Sequence, residues 1–202
     1  MTLVDSITIR RLGRVAYLPT LATMKDFTSS RGRETPDELW LLEHPPVYTL
    51  GQGAEHAPVG NGIPLVKTDR GGDITYHGPG QLVVYTLVDL ARRGIQVRRF
   101  VALLEQSVIE LLGGRGERRA GAPGVYVGGA KIAALGIRVR HGRAYHGLSL
   151  NVDMDLSPFR AIDPCGYPGL EVTQLRALGI HGSIESVGER LALLLVEKIE
   201  NA

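Results

Sequence analysis

The stretch Lys131-Ile-Ala-Ala-Leu-Gly-Ile-Arg-Val-Arg-His-Gly-Arg-Ala-Tyr-His-Gly-Leu-Ser-Leu-Asn-Val152 does most to decide the fold class. It holds two runs rich in apolar residues, at 131–140 and 143–152, which are separated by His141-Gly142. Runs of this length on either side of a dipeptide ending in glycine are typical of a β-hairpin. We therefore predict two antiparallel strands that turn at His141-Gly142.

Helical spacing marks two further parts of the chain. Apolar residues at positions 97, 100, 101, 104, 108, 111 and 112 form one helix face, which Gly113-Gly114 ends. A second amphipathic helix is predicted over 184–199, with Ser186 and Glu189 spaced as a capping box near its start.

Shorter elements complete the predicted fold. We expect a helix over 18–30, a glycine-rich turn at 70–80, and strands over 7–14, 38–43, 47–50, 65–68, 82–88 and 125–127. Hairpins with flanking helices favour an α/β (α+β) domain with a mixed, largely antiparallel sheet. Because 202 residues with 44% hydrophobic content fit one core, we expect one domain over residues 1–202.

Charge and cysteine content exclude several functions. The net charge of +2 is smaller than the clustered basic excess typical of nucleic-acid binders. Cys165 is the only cysteine, so neither an internal disulfide nor a cysteine-based metal cluster is expected, and His, Asp and Glu show no metal-binding spacing. No apolar run approaches about 18 residues and the N-terminus has no signal-peptide core, so we predict a cytoplasmic protein without a membrane partner.

Lys131 is one of only four lysines and the only charge between Arg119 and Arg138. Its neighbours are small and apolar, and burial favours the neutral amine of a lysine. Such a lysine could serve in catalysis. The alternative is a lysine that extends from a strand edge into water.

A second candidate site is the glycine-rich segment 70–81, Arg-Gly-Gly-Asp-Ile-Thr-Tyr-His-Gly-Pro-Gly-Gln. Gly71 and Gly72 would let backbone N–H groups approach a ligand, and Arg70, Thr75 and His77 add side-chain donors. No Gly-Lys-Ser/Thr follows, as a phosphate-binding P-loop requires, and a strand rather than a dinucleotide-binding helix comes next. The alternative is a tight turn without a ligand.

Cys165 lies in Asp163-Pro-Cys-Gly-Tyr-Pro-Gly169, whose prolines and glycines predict an irregular loop. Catalytic groups often lie on such loops, although a lone cysteine can also be an inert buried side chain. A nearby ammonium would stabilise the nucleophilic thiolate, so Cys165 and Lys131 would complement each other. The sequence does not select Lys131 over His77 or His146 as the base.

The segment 145–152 is a weaker candidate. Gly147 and Ser149 would leave room for an apolar group to lie against a strand, and the alternative is close backbone packing.

Together these stretches resemble the lipoyl(octanoyl) transferase family, the octanoyl-[acyl-carrier-protein]:protein N-octanoyltransferases. The resemblance covers roughly residues 7 to 180 and depends on five motifs in order: Leu-Glu-His-Pro-Pro-Val-Tyr-Thr-Leu-Gly at 42–51, Arg-Gly-Gly-x-x-Thr-Tyr-His-x-Pro-Gly-Gln-x-Val-x-Tyr at 70–85, Lys-Ile-x-x-x-Gly at 131–136, His-Gly-Leu-x-Leu-Asn at 146–151 and Pro-Cys-Gly-Tyr at 164–167.

The resemblance implies a fold similar to the catalytic domains of biotin and lipoate protein ligases. It implies Cys165 as the acyl-thioester nucleophile and Lys131 as the residue that favours its thiolate. The implied substrate-binding residues are Arg70, Gly71, Gly72, Asp73, Ile74, Thr75, Tyr76, His77, Ala134, Leu135, Gly136, Gly147, Leu148 and Ser149. Ser149 stands where we expect alanine.

The implied donor is octanoyl-acyl carrier protein, and the implied acceptors are lipoyl domains of 2-oxoacid dehydrogenase complexes and the glycine cleavage H protein. No cofactor is expected, because a thioester is already activated. Three alternatives are an ATP-dependent lipoate ligase, a thioesterase and a non-catalytic lipoyl- or biotin-binding module.

Overall fold

The computed structural model describes residues 6–54, 61–162 and 170–202. The strands are β1 (Ile7–Arg14), β2 (Asp37–Glu43), β3 (Val47–Leu50), β4 (Leu65–Lys67), β5 (Ile74–His77), β6 (Gln81–Asp89), β7 (Gly124–Val127), β8 (Ala130–Arg140) and β9 (Arg143–Asn151). The helices are α1 (Tyr17–Ser30), α2 (Leu90–Arg93), α3 (Val97–Leu111) and α4 (Ile184–Glu200), with 3-10 turns at Ser157–Ala161 and Arg176–Leu178.

Six strands form the main sheet in the order β1-β2-β6-β9-β8-β7. Among the strands named above, β1–β2 is the only parallel pair of this sheet, which confirms the predicted mixed, largely antiparallel α+β class. The β8–β9 hairpin turns at His141-Gly142, where both residues have positive φ, at 49° and 76°. The predicted hairpin is therefore confirmed, including its turn.

Helices α3 and α4 cover one face of the main sheet. Their apolar sides, including Leu104, Val108 and Leu191, pack with Ile132 and Leu150 of the sheet in one fully buried cluster. The predicted capping box at the start of α4 is wrong. Ser183 is the N-cap instead, and its hydroxyl accepts a 3.2 Å hydrogen bond from the Ser186 backbone N–H.

The other face of the main sheet lies under α1 and a three-stranded sheet of order β4-β3-β5. We predicted a turn over 70–80, but β5 lies within it and pairs antiparallel with β3 from Val47↔His77 to Leu50↔Ile74. The strand is only four residues long and has glycines close to both ends, so local pattern did not reveal it. Its pairing with β3 brings the polar segment 70–81 against the main sheet.

Small residues face each other across β8 and β9 beneath the three-stranded sheet. Ala134 lies opposite Ser149, and Gly136 lies opposite Gly147. A Cβ on Gly147 would lie 2.0 Å from the Val84 carbonyl oxygen, so the neighbouring strand β6 leaves space only for glycine there. Among the described residues, no helix is long and apolar enough to span a bilayer.

Candidate active site

A cavity of about 40 Å³ lies between the three-stranded sheet and the strands β8 and β9. Its lining includes twelve of the predicted substrate-binding residues: Arg70, Gly72, Asp73, Ile74, Thr75, His77, Ala134, Leu135, Gly136, Gly147, Leu148 and Ser149. Three segments far apart in sequence thus meet around one space, as the resemblance implied. Their binding of substrate stays a prediction.

Gly71 and Tyr76 are the two predicted residues that do not line this cavity. Along β5 the side chains alternate, so Thr75 and His77 face the cavity while Tyr76 packs against Tyr48 and Phe159 on the opposite side. Gly71 lies behind the cavity wall, where its N–H donates to the Ile137 carbonyl oxygen at 3.0 Å.

Arg70 holds the glycine-rich loop in place. Its guanidinium is buried and donates to the Thr49 hydroxyl and carbonyl oxygens at 2.7 to 3.1 Å, and to the Gly71 carbonyl oxygen at 2.9 Å. Gly72, with φ of 78°, continues the turn. We predicted Arg70 as a donor to ligand, but these contacts show it binding the protein's own oxygens, which fixes the loop against β3.

Lys131 lies in a closed niche beside the cavity. It is 3% exposed, and its Nζ donates to the Pro123 carbonyl oxygen at 3.3 Å and lies 5.1 Å from the centre of the Tyr126 ring. The carbonyl dipole and the ring face both stabilise a positive charge. The alternative in which this lysine extends into water is therefore wrong.

The backbone of Lys131 binds the segment at 171–173, which follows the predicted nucleophile in the sequence. Its N–H donates to the Glu171 carbonyl oxygen at 2.8 Å, and its carbonyl oxygen accepts from the Thr173 N–H at 2.9 Å. Cys165 lies outside the described residues, so its predicted pairing with Lys131 stays a prediction.

A second, smaller cavity adjoins Lys131. It is lined by Thr75, Gln81, Lys131, Ile132, Ala134, Ser149, Asn151, Phe159 and Val172. Thr75, Ala134 and Ser149 line both cavities. Lys131 therefore lines a space that shares wall residues of β5, β8 and β9 with the larger cavity.

His77 lines the larger cavity and is neutral. Gln81 donates its amide N–H groups to the Tyr76 backbone carbonyl oxygen and to Asn151 Oδ1, so its Oε1 accepts from His77 Nδ1 at 2.7 Å. Burial, with a smaller contribution from nearby His44, lowers the pKa of His77 to about 3.

His146 also lines the cavity and is oriented by Asp69, whose carboxylate accepts from His146 Nε2 at 2.9 Å. Burial lowers the pKa of His146, although Asp69 opposes this effect. Burial raises the pKa of Asp69, but hydrogen bonds from His146, Tyr145 and Lys25 outweigh it and hold that pKa well below its usual range. His146 has φ of 61°, an uncommon conformation for a residue with a side chain, so packing holds it in a strained position.

Sequence comparison agrees with this geometry. Residues 16–194 match the family described as Lipoyl protein ligase A/B catalytic domain. A protein named octanoyltransferase from Aromatoleum aromaticum is 60% identical over 195 residues, which cover 94% of this chain and 84% of that protein. Octanoyltransferases from Dechloromonas aromatica and Thiobacillus denitrificans are 59% and 61% identical, covering 95% and 92% of this chain and 96% and 88% of their own length.

The chain belongs to the octanoyltransferase family. Solved structures share the fold of this chain. A bi-partite lipoate protein ligase from Thermoplasma acidophilum aligns with a TM-score of 0.75 at 19% identity, covering 96% of this chain and 84% of that chain. Biotin protein ligase from Aquifex aeolicus, in complex with biotin and ATP, aligns with a TM-score of 0.61 at 11% identity, covering 97% and 71%. These likenesses confirm the expected fold.

Four residues that line the cavity of this octanoyltransferase were missed from the sequence. They are Tyr17, Val83, Tyr85 and His146, none of which was among the predicted substrate-binding residues. His146 had a signal, since it begins the motif at 146–151 and was considered as an alternative base. Tyr17 lies on α1 and Tyr85 on β6. No local sequence pattern indicates that these two elements contact the same cavity. Tyr85 donates to His44 Nε2 at 2.7 Å, because His44 Nδ1 donates to the Val15 carbonyl oxygen at 2.7 Å.

Proposed function

We propose that this protein transfers an octanoyl group from octanoyl-acyl carrier protein to a lysine of a lipoyl domain, through a thioester on Cys165. The observation that supports it best is Lys131, a buried lysine that lines a small cavity together with residues of three family motifs. The identity of about 60% to octanoyltransferases over nearly the whole chain supports the same activity.

In the first half-reaction, the Lys131 amine accepts the proton of the Cys165 thiol, and the resulting thiolate attacks the carbonyl carbon of the donor thioester. The carbon–sulfur bond to the carrier breaks, and the carrier thiolate takes the proton from the Lys131 ammonium. One thioester replaces another, so little free energy changes. The Pro123 carbonyl and the Tyr126 ring stabilise Lys131 while it carries the proton.

In the second half-reaction, the ε-amine of the acceptor lysine attacks the acyl-enzyme carbonyl. A carbon–nitrogen bond forms, the Cys165 thiolate leaves, and the proton lost by the amine passes through Lys131 to that thiolate. The amide product is more stable than the thioester, which makes this step favourable. The proposal needs no nucleotide or metal ion, since the donor is already activated.

The proposed acceptors are the lipoyl domains of 2-oxoacid dehydrogenase complexes and the glycine cleavage H protein. We propose that the reaction takes place in the cytoplasm and that residues 1–202 act as a single catalytic domain. The cavity walls include the apolar or small residues Val83, Ala134, Gly136 and Gly147, which suit an alkyl chain better than a polar donor.

Intact mass spectrometry tests the proposal. The protein is mixed with octanoyl-carrier protein in the absence of ATP, and then with apo lipoyl domain. We expect an octanoyl adduct that disappears as the lipoyl domain gains the same mass. Cys165→Ser should form no thioester and lose most of the transfer rate, because a serine hydroxyl ionises far less readily than a thiol.

Each competing activity predicts a different result. A lipoate ligase would require ATP, a thioesterase would release free octanoate without modifying the lipoyl domain, and a binding module would form no adduct. Transfer by Cys165→Ser at the wild-type rate would contradict the covalent route while leaving acyl transfer itself in place.

A further inference from the structure

Two hydroxyl side chains flank the point where the two cavities meet. Thr75 lies on β5 and Ser149 on β9, and both residues line the larger cavity and the Lys131 niche. They are 8% and 4% exposed, respectively.

Neither hydroxyl has a side-chain hydrogen-bond partner in the part of the chain that the structure describes. Of the polar residues around the niche, Gln81 donates to Asn151, Asn151 donates to the Thr173 carbonyl oxygen, and Lys131 donates to Pro123. Thr75 and Ser149, by contrast, make no side-chain hydrogen bond to any residue that the structure describes. Two nearly buried donors thus face the space that a ligand would enter.

A ligand that fills this space must satisfy both groups or leave them unpaired. Leaving a buried hydroxyl without a partner is unfavourable, because the group loses its hydrogen bonds to water. On the proposed function, the octanoyl group offers one polar atom, its carbonyl oxygen, which adjoins the reacting carbon beside Lys131. That oxygen is the acceptor available to the two donors.

We infer that Thr75 and Ser149 donate hydrogen bonds to the acyl carbonyl oxygen and stabilise the negative charge that develops on it. When a thiolate or an amine attacks the carbonyl carbon, the π electron pair moves onto this oxygen. The pair returns when the bond to the leaving group breaks, and the oxygen gains no proton at any stage. Because hydrogen bonds to an anion are stronger than those to a neutral carbonyl, the two hydroxyls stabilise the transition state more than the ground state.

The variants Thr75→Val and Ser149→Ala remove one hydroxyl each with little change of volume. Thr75→Ser keeps the donor, and Ser107→Ala is a control, since Ser107 is a buried hydroxyl on α3 that donates to the Leu103 carbonyl oxygen. Acyl-enzyme is prepared from donor labelled with ¹³C at the carbonyl, and its stretching frequency is recorded by isotope-edited infrared spectroscopy. Steady-state kinetics give kcat and KM for each variant.

We expect the carbonyl stretch to move to higher frequency in Thr75→Val and Ser149→Ala, because a hydrogen bond to the oxygen weakens the carbon–oxygen double bond. Loss of the Thr75 hydroxyl should lower kcat by about a hundredfold or more with KM nearly unchanged. Loss of the Ser149 hydroxyl should lower kcat less, because Ser149 stands at a position where alanine is expected. Thr75→Ser should restore the wild-type frequency, and Ser107→Ala should leave it unmoved.

The inference is overturned if frequency and kcat are unchanged in both variants, or if Ser149→Ala impairs only a 3-hydroxyoctanoyl donor, which would assign the hydroxyl to chain recognition. Failure of the proposed function gives a different result. In that case the unmodified protein itself forms no octanoyl adduct, and no carbonyl band appears for any variant.

Discussion

Lys131 is a buried lysine, and burial of its amine is unfavourable unless the amine has a role. Its amine lies between the Pro123 carbonyl and the Tyr126 ring, and Gly124 passes so close that a Cβ there would lie 3.3 Å from Nζ. Transfer of a lysine into such a niche is costly unless its charge is compensated. Proton transfer to and from Cys165 is the task that the proposed function gives it.

Lys131→Met should raise the pH at which Cys165 alkylates, since the thiolate loses a neighbouring cation. One unit of such a shift corresponds to about 1.4 kcal/mol of preference for the thiolate. Lys131→Arg should keep part of the thiolate but lose transfer, because a guanidinium does not release its proton readily. The measurements are iodoacetamide alkylation against pH and single-turnover transfer to a lipoyl domain.

Lys198→Met is the matched control, because Lys198 lies on α4 and pairs with Glu110 at 2.7 Å, on the opposite side of the sheet. If Lys131→Met alkylates with the unmodified profile and transfers at the unmodified rate, the lysine is structural. His146, held by Asp69, would then be the next base to test.

At the scale of single elements, the strands β8 and β9 were predictable and β5 was not. The hairpin is local, so its two runs and its turn dipeptide lie within one short window. Strand β5 exists through pairing with β3, more than twenty residues earlier in the chain, and its own composition resembles a turn. The capping box at 186–189 was wrong because Ser183, closer to the glycine of the preceding loop, takes the N-cap position.

Strand β8 supplies a test of the cavity through Gly136. A Cβ on this residue would lie 2.9 Å from the Gly71 carbonyl oxygen and 3.2 Å from Arg70 Cδ, so Gly136→Ala must push the glycine-rich loop away from β8. We expect octanoyl transfer to fall by about tenfold or more, because small displacements of substrate groups are costly. Steady-state transfer rates and thermal unfolding measure activity and stability separately.

Gly32→Ala is the control for this substitution, since nothing lies within 4 Å of a Cβ placed there. Unchanged transfer by Gly136→Ala would show that the acyl chain does not lie against this part of β8.

Three buried, neutral histidines lie close together: His44, His77 and His146. They make the free energy of unfolding depend on pH. Burial, aided by His44, lowers the pKa of His77 to about 3, whereas the unfolded chain titrates near 6.5. Between these values the unfolded state binds a proton that the native state does not, so stability falls as the pH falls through this range. Burial also lowers the pKa values of His44 and His146, in the same direction.

Urea unfolding followed by fluorescence of the buried Trp40 measures this effect. From pH 7 to pH 5, His77→Gln should lose about 2 kcal/mol less unfolding free energy than the unmodified protein. His181 lies in an exposed segment before α4, and His181→Gln should lose as much unfolding free energy over this pH range as the unmodified protein. An equal loss in all three proteins would mean that His77 does not contribute to acid sensitivity.

At the scale of the whole molecule, the sequence predicted the sheet class and the positions of three motifs, but not how they meet. Ala134, Gly136, Gly147 and Ser149 face each other because of a register that hydrogen bonding across β8 and β9 sets. Tyr17 and Tyr85 join the cavity only when α1 packs on the sheet. Packing between distant segments leaves little periodic signal in the sequence. The family resemblance therefore located the motif residues but missed Tyr17 and Tyr85.

The tip of the β8–β9 hairpin concentrates positive charge on a protein whose net charge is only +2. Arg138 donates to Gln52, Arg143 lies 3.6 Å from Asp89, and the exposed Arg140 lies between them on the hairpin. Acyl carrier proteins and lipoyl domains are typically acidic, so this surface would accelerate their encounter with the protein. The proposed function therefore predicts that transfer depends on ionic strength.

Arg140→Glu should raise KM for octanoyl-carrier protein with little change in kcat, because a reversed charge slows association without touching the reacting groups. The rise should shrink in high salt, since about 0.15 M salt already screens exposed charges beyond ~8 Å. Arg190→Glu, an exposed reversal on α4 behind the sheet, changes the net charge equally and should have a smaller effect. Steady-state kinetics across a salt series compare the two. Equal KM values for the two variants at every salt concentration would show that overall charge, rather than the hairpin tip, governs encounter with the carrier.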